Sequence, residues 1–255
     1  MNSLLGILTA VSTVVLVYMT TWFILALILR RRDIVDSAWG IDFIVVAITA
    51  FLQRNNESTF TVIALALVTL WGLRLFLHIT ARNWKKKEDY RYAQLGELNS
   101  VRFWAKTYTN VFLLQGVLMV AISLPVIGIM YASSDPIVLI AVAGAIIWLF
   151  GIIFEAIGDY QLRQFISAGK KGVMDQGLWK YTRHPNYFGE VTAWWGAALI
   201  ALSFGVWWGI LGAVVITILI TKISGIPLLE KRYENDKIYQ AYAAKTPKLI
   251  PRIVK

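Results

Sequence analysis

Between Gly177 and Glu190 the chain reads Gly-Leu-Trp-Lys-Tyr-Thr-Arg-His-Pro-Asn-Tyr-Phe-Gly-Glu, a basic, aromatic connector running into an apolar segment that carries a carboxylate. Arg183, His184 and Asn186 offer donors to phosphate or amide groups, while Tyr181 and Tyr187 offer faces for stacking. Pro185 fixes the backbone where a helix is about to begin. At helical spacing Tyr187, Glu190 and Trp194 share a face, so Glu190 can accept hydrogen bonds from a carboxamide. This combination suits a charged, flat ligand at a membrane surface.

Other ionisable residues stand inside apolar segments, where a charge is costly and usually faces the bundle interior. They are Asp36 and Asp42, then Arg74 and His78, then Glu155 and Asp159. Counted from the nearest basic cluster, Asp42, Arg74 and Glu155 lie at similar depth and can form one buried polar layer. Residues three and four apart share a helical face, which aligns Arg74, His78 and Arg82, and separately Glu155, Asp159 and Arg163. A purely structural reading stays open, in which Arg74 neutralises Asp42 or Glu155 and Asp159 pairs with Arg163 at a helix end.

Two histidines and no cysteine narrow the chemistry. Di-iron centres of membrane desaturases need many His ligands, and thiolate nucleophiles, Fe–S clusters and disulfides need Cys. A mononuclear site using His78, His184 and carboxylates is conceivable, but no pair shows ligand spacing such as His-x-x-x-His, so no metal is expected. A Gly-x-Ser-x-Gly nucleophile is absent.

These residues must be positioned by membrane helices. The chain has 255 residues, 58% of them hydrophobic, with eleven Trp. A span needs about 20 mainly apolar residues, and a scan at that width predicts seven: about Leu4–Leu29, Ile34–Leu52, Phe60–Ile79, Val111–Tyr131, Ile137–Gly158, Phe188–Phe204 and Trp207–Ile223. The expected fold is therefore an all-α polytopic bundle forming a single membrane domain over 1–255, with no visible internal repeat. All 25 Lys and Arg except Arg54 and Arg74 fall after the first, third, fifth and seventh segments. Because Lys and Arg accumulate on the cytoplasmic side, the amino terminus is expected outside and the carboxyl terminus inside. That asymmetry also accounts for the net charge of +10 without nucleic acid. The first segment lacks a basic start and a small-residue cleavage site, so it reads as a retained helix. A bacterial inner membrane is the expected location. The basic run Arg82–Tyr92 reads either as an interfacial helix held by anionic lipid or, through Arg82, Arg91 and Tyr92, as a phosphate-binding rim.

The run Asp159-Tyr-Gln-Leu-Arg-Gln164, followed by Gly177-Leu-Trp179, Asn186-Tyr-Phe-Gly-Glu190, Trp194, Tyr242 and Ile250-Pro251, resembles the carboxyl-terminal half of steroid 5-alpha-reductases. Asp36-x-x-Trp39-Gly40, Trp71-Gly-Leu-Arg74 and Glu88-Asp-Tyr-Arg-Tyr92 look like a bacterial branch of that family labelled as a domain of unknown function. The resemblance implies NADPH-dependent reduction of a carbon–carbon double bond in a lipid taken from the bilayer, with a reductase-like core at about 137–255. By motif match, Asp159, Arg163, Asn186 and Glu190 take cofactor-contacting positions. Arg91, Arg183, His184, Tyr187 and Tyr242 complete the expected cofactor set. The steroid enzymes place a Glu from the second helix and a Tyr from the third near the substrate carbonyl. Here Asp36 or Asp42 and His78 are the nearest chemical substitutes, and His78, polarised by Arg74 or Asp42, is the expected donor where negative charge develops.

Arg-His-Pro-x-Tyr-x-Gly also occurs in isoprenylcysteine and phospholipid methyltransferases, so an S-adenosylmethionine-dependent lipid methyltransferase is the second reading. A non-enzymatic carrier or scaffold is the third, and it would need a polar path reaching both sides.

Overall fold

The computed structural model describes residues 2–83, 101–169 and 172–252. The described residues form helices joined by short turns, with no strand among them. In order they are α1 (Leu4–Leu29), α2 (Val35–Leu52), α3 (Thr59–Asn83), α4 (Val101–Thr107), α5 (Leu114–Ile122), α6 (Leu124–Tyr131), α7 (Val138–Ser167), α8 (Pro185–Ser203), α9 (Ile210–Ile218), α10 (Ile226–Arg232) and α11 (Lys237–Lys245). A π-helical stretch, Tyr108–Leu113, fuses α4 to α5, and a second, Leu219–Ile223, follows α9.

Among the described residues, six helices are long and apolar enough to cross a membrane: Leu4–Leu29, Val35–Leu52, Thr59–Asn83, Phe103–Ile122, Val138–Ser167 and Trp207–Arg232. Large apolar side chains such as Leu16, Val17 and Ile28 of α1 and Leu139, Ile146 and Ile153 of α7 point outward. An outside this apolar is matched to lipid rather than water. The chain is a multi-pass membrane protein.

Two expected segments differ in detail. The fourth begins earlier, at Phe103 rather than Val111, and the residues read as the end of a long loop are helical from Val101. Aromatic contacts explain the extension, because Phe23 of α1 packs against Trp104, Tyr108 and Phe112 at centroid distances of 6.1, 4.7 and 5.3 Å. The helix breaks at Ser123, ahead of Pro125, which cannot donate to the preceding turn. The expected sixth segment exists as α8 but lies outside the apolar set. It is enclosed by protein along much of its length and carries Asn186 and Glu190.

Polar ties place the helix ends. Asn2 donates to Asn55 and to the Gln53 carbonyl, Asn55 N–H donates to Met130, and Ser134 donates to the Phe204 carbonyl. The chain start and the turns at 53–58, 132–137 and 204–206 therefore gather on one face. Arg30–Arg32, the end of α3, the connector and the tail gather on the opposite, basic face.

Helix packing is set by small residues. Gly144, Gly151 and Gly158 recur every seven residues along α7; Gly144 faces Gly196 and Gly151 faces Gly189 and Ala193 of α8, while Gly158 faces Pro185 and Asn186 at the start of that helix. A Cβ on Gly151 would lie 2.4 Å from the Ala193 nitrogen, and one on Gly196 would lie 2.4 Å from the Trp148 nitrogen. Gly40 and Gly72 do the same for α2 against α3, where either Cβ would lie 2.2 or 2.4 Å from the other's carbonyl oxygen. In lipid no hydrophobic force drives helices together, so close backbone approach supplies the association through dispersion.

Gly151→Leu is expected to force α7 and α8 apart and to cost about 3 kcal/mol or more, the upper range for overpacking. Thermal melting in detergent checks this against Val142→Leu on the outward side of the same helix, which should leave the melting temperature unchanged.

Candidate functional site

Helix α3 presents Trp71, Arg74 and His78 on one side, and α7 presents Glu155 and Asp159 one turn apart. The close packing brings these sides together. Arg74 Nη2 bonds to Glu155 Oε1, Arg74 Nη1 lies 2.7 Å from Asp159 Oδ2, and Trp71 Nε1 donates to Glu155 Oε2 at 2.8 Å. His78 Nε2 stands 3.8 Å from Asp159 Oδ2. Glu155 and Asp159 are buried, and Glu190 of α8 lies close enough to interact electrostatically with Arg74, Glu155 and Asp159. One guanidinium thus serves a group of three carboxylates.

Below this cluster lies a wall of aromatic rings. Trp71, Phe43 and Trp194 meet at 5.0 to 5.5 Å between centroids, and Trp148 joins at 6.4 Å. These rings fill the bundle next to the charged group, with Trp71 and Trp148 almost wholly buried. Arg163, one turn beyond Asp159, is exposed. Neither its guanidinium nor the Asn186 amide makes a hydrogen bond or ion pair among the described residues.

The expected single polar layer is divided. Asp42 does not join Arg74, because α2 meets α3 through Gly40 and Gly72 and the Asp42 side chain lies on another side of α2. Asp42 is fully buried, and neither carboxylate oxygen has a hydrogen-bond partner. Tyr18 of α1, within electrostatic range of Asp42, donates its hydroxyl to the Ala38 carbonyl at 2.9 Å. Trp39 Nε1 donates to Gln115 of α5 at 2.7 Å. Asp36 stands in the first turn of α2, toward the basic face. Arg91 and Tyr92 lie outside the described residues.

The connector is more occupied than its sequence suggests. Trp179 Nε1 donates to the Gly158 carbonyl at 3.1 Å and Tyr187 stacks on His184 at 5.7 Å. Arg183 Nη2 lies 3.1 Å and His184 Nε2 3.2 Å from Glu230 Oε1, a residue of α10 that no motif had singled out. Tyr242 donates to the Trp179 carbonyl at 2.5 Å. Burial raises the Tyr242 hydroxyl above its ordinary range, so it stays a donor. Arg183, His184 and Tyr242 therefore lock the connector, while Asn186 and Glu190 continue from it along α8. Trp71 was also missed as a partner of Glu155, although its spacing from Arg74 was a readable signal. No group of three His, Asp or Glu able to hold a metal occurs among the described residues.

Arg74→Met should leave Glu155 and Asp159 buried without their cation and cost about 3–5 kcal/mol, as when one partner of a buried pair is removed. Thermal melting of Arg74→Met beside Arg74→Met/Glu155→Gln checks this, with partial recovery expected in the double variant. His184 gives a pH signature. Burial holds its pKa below the usual imidazole value, against the pull of Glu230. Its contribution to stability is full above about 6.5 and is lost as pH falls through the lowered folded value. Melting temperature should drop on acidification in that window, and His184→Gln should flatten the drop.

With the geometry in place, comparison with known proteins adds two positive findings. The family model described as "Protein of unknown function (DUF1295)" matches residues 22–246, most of the chain. The protein 3-oxo-5-alpha-steroid 4-dehydrogenase 1 of Bos taurus is 37% identical over 76 residues, which is 29% of this chain and 28% of that protein. The matched region thus spans under a third of the relative's length. No solved structure matches the chain significantly. The chain belongs to the DUF1295 family of steroid 5-alpha-reductase-like integral membrane proteins.

Proposed function

We propose that the chain is a membrane reductase that uses NADPH to saturate a carbon–carbon double bond of a lipid on the face where its basic residues gather. One observation carries the reading: Arg74 pairs with two buried carboxylates, Glu190 is in electrostatic range, and the Asn186 amide and the Arg163 guanidinium are left unpaired nearby among the described residues. Unused donors of these types suit a carboxamide and phosphates. The relative's printed name, a 3-oxo-5-alpha-steroid dehydrogenase, supports redox chemistry on a lipid.

NADPH, when bound, supplies the hydride. Arg163 would hold its phosphates, and Asn186 with Glu190 its carboxamide. Arg74 fixes the carboxylates so that Glu190 keeps one orientation, and the aromatic wall excludes water from beneath. His78, aligned by Asp159, would donate where negative charge develops on the acceptor, with the buried Asp42 as a second acidic group. Asp36 would stand nearer the basic face. The basic face is read as cytoplasmic, in a bacterial inner membrane, which places the cofactor site where NADPH is available.

Purified protein titrated separately with NADPH and S-adenosylmethionine tests the reading, because a ligand that binds only the folded state raises its melting temperature. NADPH should stabilise it. Stabilisation by S-adenosylmethionine alone would instead establish the methyltransferase reading. Asn186→Ala, Arg163→Ala and Glu190→Gln should each weaken NADPH binding about tenfold with little change in the melting temperature of the unliganded protein. A Glu190→Gln variant that melts earlier but binds normally would make Glu190 a structural counter-ion only.

A further inference from the structure

The carboxyl-terminal tail is fastened to the connector along its length. Arg183 N–H donates to the Pro247 carbonyl at 2.9 Å, and Arg252 N–H donates to the Tyr181 carbonyl at 3.0 Å, so the two segments run antiparallel. Between these bonds the Thr182 hydroxyl, fully buried, donates to the Leu249 carbonyl at 2.7 Å. The Tyr242 bond to Trp179 adds a fourth tie.

Glu230 sits where these segments converge. Its carboxylate lies 3.1 Å from Arg183, 3.2 Å from His184, 3.3 Å from Lys248 and 3.5 Å from the Tyr239 hydroxyl. Burial and the Glu230 charge push the Tyr239 hydroxyl up to about 12, so it remains a donor. One carboxylate therefore joins α10, the connector and two points of the tail, Tyr239 and Lys248. The Arg183 side chain is nearly enclosed and its Nε has no partner, which makes the Glu230 contact its compensation for burial. His184 is the N-cap of α8, Pro185 begins the helix, and Asn186 and Glu190 follow within its first two turns. Holding residues 183 and 184 fixes the rotation of those turns about the helix axis.

The approach to Glu230 is built into α10. After the π-helical stretch Leu219–Ile223 the chain breaks at Ser224–Gly225, where a Cβ on Gly225 would lie 2.7 Å from the Ile220 carbonyl oxygen. A π-helical stretch shifts the phase of the residues beyond it, and only a glycine fits the close turn that redirects α10 toward the connector.

We infer that Glu230 is a positioning residue for the site at Asn186 and Glu190: by clamping the tail onto Arg183 and His184, it orients the first turns of α8 for the nicotinamide dinucleotide. The inference rests on the cofactor reading above, but the clamp can be measured without cofactor. Full-length wild type, Glu230→Gln and Tyr242→Phe/Lys248→Met would be compared in detergent by amide hydrogen exchange and by NADPH titration. The double variant loosens the tail while keeping Glu230 with Arg183, so it remains informative if Glu230→Gln folds poorly. Both variants should exchange faster across 181–190, and their NADPH dissociation constants should rise about tenfold with Glu230→Asp recovering part. Faster exchange with unchanged NADPH affinity would overturn the positioning role, as would unchanged exchange at 181–190. If wild type itself binds no NADPH, the cofactor reading fails, and exchange at 181–190 alone then decides whether Glu230 orders α8.

Discussion

A single arginine inside the apolar bundle holds the rest of the site in place. Arg74 enters from α3 and meets Glu155 and Asp159 of α7, with Glu190 of α8 in electrostatic range. Away from water, each of these charges is tolerable only in the presence of the others. Three helices must therefore keep their rotation and depth to within the length of a hydrogen bond. The glycine contacts provide that accuracy, since a helix pair that touches backbone to backbone cannot slide or roll without a clash.

Helix length determines where the cluster opens. With 30 residues, α7 measures about 45 Å at 1.5 Å per residue, against about 30 Å of hydrocarbon. The surplus carries the helix past Asp159 to Ser167, and the connector docks alongside through Trp179 on the Gly158 carbonyl and Leu178 on Gln161. Arg163 lies on that last stretch of α7, and the Asn186 backbone packs against Gly158 on the same helix. The tail then holds the connector in place.

Charged clamp and uncharged wall have different roles on the proposed reading. The exposed Arg163 and the partly buried Asn186 lie on the basic-face side of the buried carboxylates, where a polar cofactor would arrive. Asp42, Tyr18, Trp39 and Gln115 lie in the α1, α2 and α5 part of the bundle, where a lipid could enter sideways. Phe43 of α2, next to Asp42 in the chain, packs on Trp71, which bonds to Glu155, so the aromatic cluster adjoins both regions.

Apolar runs, one-sided Lys and Arg, and the misplaced charges were all legible in the sequence, because membrane insertion responds to local composition that no distant contact can alter. So was the aligned pair Glu155 and Asp159, a property of helical spacing alone. The glycines at 144, 151 and 158 were equally readable as a seven-residue stripe, yet went unnoticed. Which acid Arg74 would choose was not legible: Asp42 and Glu155 stand at the same depth, and only the Gly40–Gly72 contact turns Asp42 away. The role of Glu230 was hidden for the same reason, since nothing in its neighbours announces that Arg183 and His184, 46 or more residues away, will reach it. The sequence by itself determined that this is a helical membrane protein with charges on chosen helix faces. Tertiary structure alone decided which faces meet, because the rotation of each helix depends on close packing between segments far apart in the chain.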